Sequence, residues 1–243
     1  MAARRPFVLP VGAGPPGRSA SLALSFRCPA SRAMSDHTPA MLAGISRRDT
    51  LRNMNPRPDA SNLSNQFLIA MPGMDDGNFA RTVVFVCEHS PRGALGLVIN
   101  RASDITVKEL FDRVGLEAAS DQATAPVLQG GPVQTERGFV LHEPTGTTYA
   151  STLSIPGGLE MTTSKDVLEH MASGGGPKRV LIALGYSGWN AGQLEEEIGQ
   201  NGWLTVEADP IVLFDTPIEA RFNAAMALLG FSPAMLSQTA GHA

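Results

Sequence analysis

The sequence predicts an α+β domain, with hairpin strands in one mixed sheet and amphipathic helices set against it. Three observations lead there. Two strongly apolar, β-branched runs, RTVVFVCEH (81–89) and GALGLVIN (93–100), are separated only by Ser90, Pro91 and Arg92. That link is too short for a crossover and suits an antiparallel hairpin. Both runs are almost continuously hydrophobic, which marks strands buried on two faces. Capped helical patterns are mixed with these hairpins, rather than alternating one for one with strands as a doubly wound parallel sheet requires.

The elements follow in order from Leu63. QFLIAMP (66–72) is a strand ended by Pro72-Gly73, and the hairpin comes next. Thr106 and Glu109 then form a capping box for a helix whose Val107, Leu110, Phe111 and Val114 share a face, with Gly115 as its stop. PVLQGG (126–131) and RGFVLHE (137–143) are strands joined by a polar turn containing Pro132, and TYASTLSI (148–155) is another strand. Thr163 or Ser164 opens a helix with Val167, Leu168 and Met171 inside, closed by Gly174, Gly175 and Gly176. RVLIALGYSGW (179–189) begins as a buried strand and ends in a glycine-spaced turn. NAGQLEEEIG (190–199) is a short helix with Asn190 and Gln193 as its box, and GWLTVEA and IVLF are short strands. In TPIEARFNAAMALLG (216–230), Thr216 caps, Pro217 fits the first turn and Glu219 completes the box. Ile218, Phe222, Ala225, Met226 and Leu229 form its apolar stripe, Gly230 ends it, and SPAMLSQTA is a last turn.

Composition narrows the function classes. The chain has 243 residues, 43% of them hydrophobic, enough for a sizeable core. No run approaches the roughly 20 apolar residues of a membrane span. Residues 1–60 hold nine arginines, no lysine and three acids (Asp36, Asp49, Asp59), a net of +6; the remainder, with ten basic and twenty acidic residues, is at −10. Duplex DNA demands a basic surface, so direct DNA binding is not expected of the body. Residues 1–62 read as a disordered Arg/Pro/Gly-rich extension. A basic arm, a targeting segment and a mis-called start, with Met34, Met41 and Met54 as later beginnings, all fit it; a mis-called start or an inert tail is favoured. SRRDTL (46–51) resembles a twin-arginine signal but lacks the apolar segment after it. With Cys28 in that extension and Cys87 the other cysteine, no disulfide framework exists, and a cytoplasmic setting follows.

Cys87, Glu88 and His89 form the first candidate site. In a regular strand Cys87 and His89 share a face and Glu88 points away. A charged imidazole beside a thiol favours the thiolate, but neighbours two apart on a strand stand about 6–7 Å from each other, awkward for direct contact. The favoured reading makes Cys87 a small buried hydrophobe and Glu88-His89 the strand's polar end. A metal held by Cys87, His89 and His142 is disfavoured because the spacing matches no common zinc motif; no metal or cofactor is expected. Asp75-Asp76 with Glu88 also suggests a divalent cation, but DDGN is an ordinary turn sequence. QGGPV and GYSGWNAG lack the phosphate-loop patterns and read as turns where backbone packs on backbone. Tyr186, Trp189 and Trp203 around the latter fit a ligand surface and a core anchor equally well.

At this point the body resembles a known family. NQFLIAMPGMDDGNFARTVVFVCEHSPRGALGLVINR, QGGPV, TSKDVL, LGYSGWNAGQLEEEIGQNGWL and the closing GHA are similar to the bacterial YqgE/AlgH family, over about residues 63–243. The resemblance implies one α/β domain with a mixed, partly barrel-like sheet and helices packed outside. It implies a transcriptional-regulator label inherited from a regulatory phenotype, with no reaction or cofactor attached. The motif positions it carries over are Arg81, Cys87, Glu88, His89 and Asn100 from the hairpin, and Trp189, Gln193, Leu194 and Glu195 from the glycine–tryptophan segment; Tyr186 lies beside them.

Two functions fit. The first is a non-enzymatic binding or regulatory module that acts indirectly on gene expression, through a protein or small-molecule partner at Arg81, Asn100, Tyr186, Trp189, Gln193 and Glu195. No helix-turn-helix supports direct DNA contact. The second is a small-molecule enzyme or thiol redox sensor using Cys87, with His89 and Arg81 lowering its pKa and Glu88 as a further catalytic candidate. The first is preferred, because the hydrophobicity of the hairpin marks it as the centre of the sheet.

Overall fold

A computed structural model describes residues 62–117 and 124–230, all within one compact unit. The extension expected over 1–62 (apart from Asn62) and the SPAMLSQTA turn lie outside the described residues.

The two long apolar runs form the paired strands expected of them. β2 (Val83–Ser90) lies between β1 (Gln66–Ala70) and β3 (Gly93–Val98) and is antiparallel to both. β4 (Ala102–Thr106) leads directly into α1 (Val107–Arg113), and β5 (Pro126–Gln129) and β6 (Val133–His142) follow. Next come β7 (Thr152–Ile155), β8 (Leu159–Thr162), α2 (Asp166–Ala172), β9 (Val180–Asn190), α3 (Gln193–Gly199), β10 (Trp203–Glu207) and α4 (Arg221–Leu228). The strands run in the order β10-β1-β2-β3-β9-β6-β8-β7, and β5 joins β4 to β9. The sheet is mixed because β5 lies parallel to β9 while its other pairs are antiparallel. It curls strongly into a half-barrel with helices against it.

β9 is the hinge of this curl. Its first half pairs with β5 and β6, and its second half with β3. Between them sits Gly185, at φ +73. Leu181 and Ala183 face one core cluster and Ile182 the other side; beyond Gly185, Tyr186 packs on the first side and Trp189 on the second. Alternation therefore slips by one residue at Gly185, where the β6–β9 register also shifts between Val133 and Gly138. A Cβ on Gly185 would stand 2.5 Å from the Gly131 carbonyl oxygen, and one on Gly130 2.3 Å from that of Gly185. The two glycine groups of the sequence meet each other here, backbone on backbone. The glycine-spaced turn expected at the end of 179–189 is instead continuous strand.

From Val83 to Cys87, β2 is buried on both faces: Val83, Phe85 and Cys87 join a cluster with Phe67, Leu97 and Phe222, while Val84 and Val86 join Leu68, Trp189 and Trp203. α4 covers the first side, and α3 the second; α1 and α2 cover a third cluster over β5, β6 and β9. Each large aliphatic side chain withdrawn from water in this way contributes about 1.5–3 kcal/mol.

Local signals succeeded unevenly. At α1 the Thr106–Glu109 box forms in both directions, at 2.7 and 3.3 Å. α2 starts at Asp166 rather than at Thr163 or Ser164, because the Ser164 hydroxyl is turned onto Asp166 Oδ1 at 2.6 Å and gives no helix cap. At α3 only half of the Asn190–Gln193 box exists, the Asn190 amide donating to Gln193 Oε1 at 3.0 Å, and Gly192 at φ +76 occupies the cap. IVLF is no strand: Ile211–Asp215 is a π-helical turn closed by the Thr216 amide on the Ile211 carbonyl at 2.9 Å. That closure takes the Thr216 hydroxyl too, at 3.0 Å, so the Thr216–Glu219 box does not form, and α4 begins through a 3-10 turn at Ile218–Ala220. No helix among the described residues is long and apolar enough to cross a membrane.

Candidate functional site

The Cys87-Glu88-His89 stretch is bent by a second bulge. Val86 pairs with Gly96 and Glu88 with Leu95, leaving Cys87 as the extra residue. The bulge shifts alternation, so Cys87 faces the Phe85 cluster while His89, opposite Ala94, faces the Trp189 side. The shared face expected for Cys87 and His89 is thus corrected. Cys87 is 1% exposed, and its thiol rests 3.8 Å from the Phe85 carbonyl. Burial, reinforced by the neighbouring Glu88 carboxylate, pushes the thiol far above its ordinary range. A reactive thiolate needs exposure and a positive neighbour; this site supplies neither, which removes the geometric basis for a Cys87 sensor.

His89 ties three segments together. Its Nδ1 accepts the Leu63 amide at 3.2 Å, its backbone amide donates to Ser64 Oγ at 2.9 Å, and Nε2 lies 3.0 Å from Glu195 Oε1. Because Nδ1 accepts, the ring proton sits on Nε2 and is donated to Glu195. Glu88, one residue earlier, forms no part of this tie.

Beside it, both tryptophans converge on one acid. Trp189 and Trp203 donate their indole N–H groups to the same Glu197 Oε2, at 2.9 and 2.8 Å, and Gln193 donates to Oε1 at 2.9 Å. Phe79 stacks on Trp189 and meets Trp203 edge-on, with centroids 6.2 and 5.5 Å away. Trp189 and Trp203 are only 7% and 3% exposed. The ligand-surface reading of Trp189 is therefore corrected: it is a core anchor with its polar tip satisfied. Gln193 and Leu194 serve the same packing, Leu194 being fully buried. Tyr186 stands on the opposite face, against Phe139 at 5.5 Å. Sequence reasoning missed Glu197; its spacing of four from Gln193, between two tryptophans, was the available signal.

At the other end of the hairpin, Asn100 acts as a backbone substitute. Its Oδ1 accepts the Val83 amide at 2.8 Å and its Nδ2 donates to the Arg81 carbonyl at 2.9 Å. Arg81 is exposed, at φ +58, with its guanidinium carbon 5.5 Å from the Phe222 ring centre. Arg101 donates to the carbonyls of Gly77 and Ala80 at 3.1 and 3.0 Å, clamping the loop that holds Asp75 and Asp76. That loop is the turn its sequence suggests: Asp76 accepts the Asn78 amide at 2.7 Å.

His142 is fully buried elsewhere. Its Nδ1 donates to the Glu143 carbonyl and its Nε2 accepts the Thr162 hydroxyl, both at 2.9 Å. It packs edge-on to Tyr149, whose hydroxyl lies 2.9 Å from His170 Nδ1. Tyr149 and His170, with Asp166, Thr147 and Thr148, line a cleft of about 410 Å³ beside α2. Asp166 accepts there from the Ala150 and Val167 amides at 2.7 and 3.0 Å. His142 does not converge with Cys87 and His89. Among the described residues no group of three or more His, Cys, Asp or Glu could hold a metal.

Comparison with known proteins decides the family. The model of the AlgH-like family matches residues 67–234. The chain belongs to the AlgH-like family. AlgH-like relatives include a UPF0301 protein of Ralstonia nicotianae, 64% identical over 188 residues, covering 76% of this chain and 98% of that one. Another, from Paraburkholderia phymatum, is 62% identical over 186 residues, covering 76% and 97%. The solution structure of the AlgH protein from Pseudomonas aeruginosa matches at a TM-score of 0.64 and 48% identity, covering 78% of this chain and 100% of that one. A crystal structure from Corynebacterium diphtheriae, at 21% identity and a TM-score of 0.54, shares the AlgH-like fold.

Proposed function

We propose that this AlgH-like protein is a non-enzymatic binding module that affects gene expression indirectly, through a protein or small-molecule partner, from the cytoplasm. The observation that carries this reading is the use of the motif side chains. Cys87 is sealed in the core, His89 is fixed between Leu63 and Glu195, and both tryptophans are fixed on Glu197. Nucleophilic chemistry needs a nucleophile within reach of its base, and these residues are held apart by the bulge at Cys87. The net charge of −10 beyond residue 60 supports an indirect rather than a DNA-bound role.

The test is fluorescence anisotropy of a labelled random-sequence duplex at low salt. Two proteins are compared: the full chain, and a variant with the nine arginines of residues 1–60 exchanged for glutamine. The expected result is no binding by the variant. A salt-dependent rise that survives in it overturns the indirect reading.

A further inference from the structure

Three arginines lie around the open end of the β2–β3 hairpin with no carboxylate partner among the described residues. Arg81 hangs over Phe222, Arg101 reaches the carbonyls of Gly77 and Ala80, and Arg221 precedes Phe222 in the chain. The loop 77–83, the chain at Ile99–Arg101 and the start of α4 meet here: Asn100 binds Arg81 and Val83, and Arg221 Nη1 donates to the Ile99 carbonyl at 2.6 Å. Among the described residues, the ion pairs use other cations, and no carboxylate oxygen comes within 4.0 Å of these three guanidiniums.

Arg221 is the informative member. It is 6% exposed, so its charge has left water almost entirely. Its Nε and Nη1 are taken by two neutral backbone carbonyls, of Thr216 at 3.0 Å and of Ile99. Its Nη2 has no acceptor among the described residues, yet it is not among the sealed polar atoms; it keeps a path to the surface. A buried charge is normally paired with an opposite one. Carbonyls orient this guanidinium but do not neutralise it, and burial draws its pKa down to about 10, against the nearby Glu219. So much positive charge in a body carrying ten excess acids calls for an anion.

We propose that this corner is an anion site whose ligand is a small molecule bearing a phosphate group. A phosphate offers two negative charges and several acceptor oxygens, matching separate guanidiniums better than a single carboxylate does. The unused Arg221 Nη2 is the donor that meets the ligand, and Arg81, over the neighbouring Phe222 ring, supplies the second charge. The proposal deepens the binding-module reading by naming the chemistry of its small-molecule partner.

The test is an NMR titration of the full chain with inorganic phosphate, against sodium chloride at matched ionic strength. The expected result is a saturable shift of the backbone amides of Asn100, Arg101 and Phe222, present with phosphate alone. Arg81→Gln and Arg101→Gln should each weaken that binding about tenfold; Arg81→Gln should leave the melting temperature near that of the parent, which avoids relying on Arg221 variants that fail to fold. Shifts that are equal in chloride, confined to residues 1–60, or unchanged by both substitutions overturn the proposal. That failure would remove the phosphate site and leave the indirect-action reading standing, since the latter is judged on duplex DNA.

Discussion

The two ends of the β2–β3 hairpin treat their polar residues in opposite ways. At the turn end, the buried imidazole and indoles find acceptors within the protein: His89 lies between Leu63 and Glu195, and the two indoles share Glu197. At the open end, Asn100 satisfies the backbone in the same manner, but among the described residues three guanidiniums have no carboxylate within 4.0 Å. Both ends flank the same buried strand and both are rich in motif residues. What separates them is whether charge is balanced internally. Buried polar groups that are fully paired hold a structure together; a buried cation with an unused donor is a place for something else.

Four measurements break or sharpen this contrast. The largest effect belongs to the strand both ends share. Val84→Asp places an unpaired charge in the core and should cost more than about 4 kcal/mol, seen as loss of cooperative thermal unfolding; normal melting would show that β2 is not internal. At the turn end, Glu197→Ala strands two indole N–H groups and should cost about 2–4 kcal/mol in urea unfolding. A change below about 0.5 kcal/mol, the size of an ordinary surface substitution, would mean that the turn end is not held by its acid.

Cys87 gives a pH signature. Its folded pKa is raised above the unfolded one, near 8.5. The contribution is therefore fully present below about pH 8.5 and is lost as pH rises, by up to about 1.4 kcal/mol per pH unit. Urea unfolding at pH 8 and 10 should show that loss in a Cys28→Ser chain and not in Cys28→Ser with Cys87→Ala. Equal pH dependence in the two would put the thiol in contact with water. The smallest effect is expected at the open end: Arg81→Gln should change stability by less than about 1 kcal/mol, since only the exposed contact with Phe222 is lost. A larger loss would make Arg81 a structural residue and erase the contrast.

Much of this was legible in the residues, and the failures share a cause. The hairpin and α1 were readable because their signals are local: a short link between apolar runs, and a cap with its acid three positions on. The Cys87 bulge was not readable, because it depends on how Val86 and Glu88 register against Gly96 and Leu95. It reversed the one expectation on which a thiol–imidazole site rested. β4 and β8 were missed because ASDIT and LEMT carry little of a strand's apolar pattern and are recruited by β5 and by β6 and β7. IVLF looked like a strand since a four-residue apolar run has no period of its own. Arg101 and Arg221 escaped notice because lone arginines in sequence say nothing of their neighbours' charge.

The sequence by itself determined the class of architecture, the buried hairpin, the acidic body and the first capped helix, because each follows from residue type and spacing along a few turns of chain. The tertiary structure alone decided which side chains share a face, that Glu197 receives both tryptophans, and that Arg81, Arg101 and Arg221 surround the open end of the hairpin with no ion-paired carboxylate among the described residues. The physical reason is that pairing and charge balance are properties of neighbours in space, and a one-residue bulge at Cys87 with a turn of the strand at Gly185 is enough to redirect those neighbours.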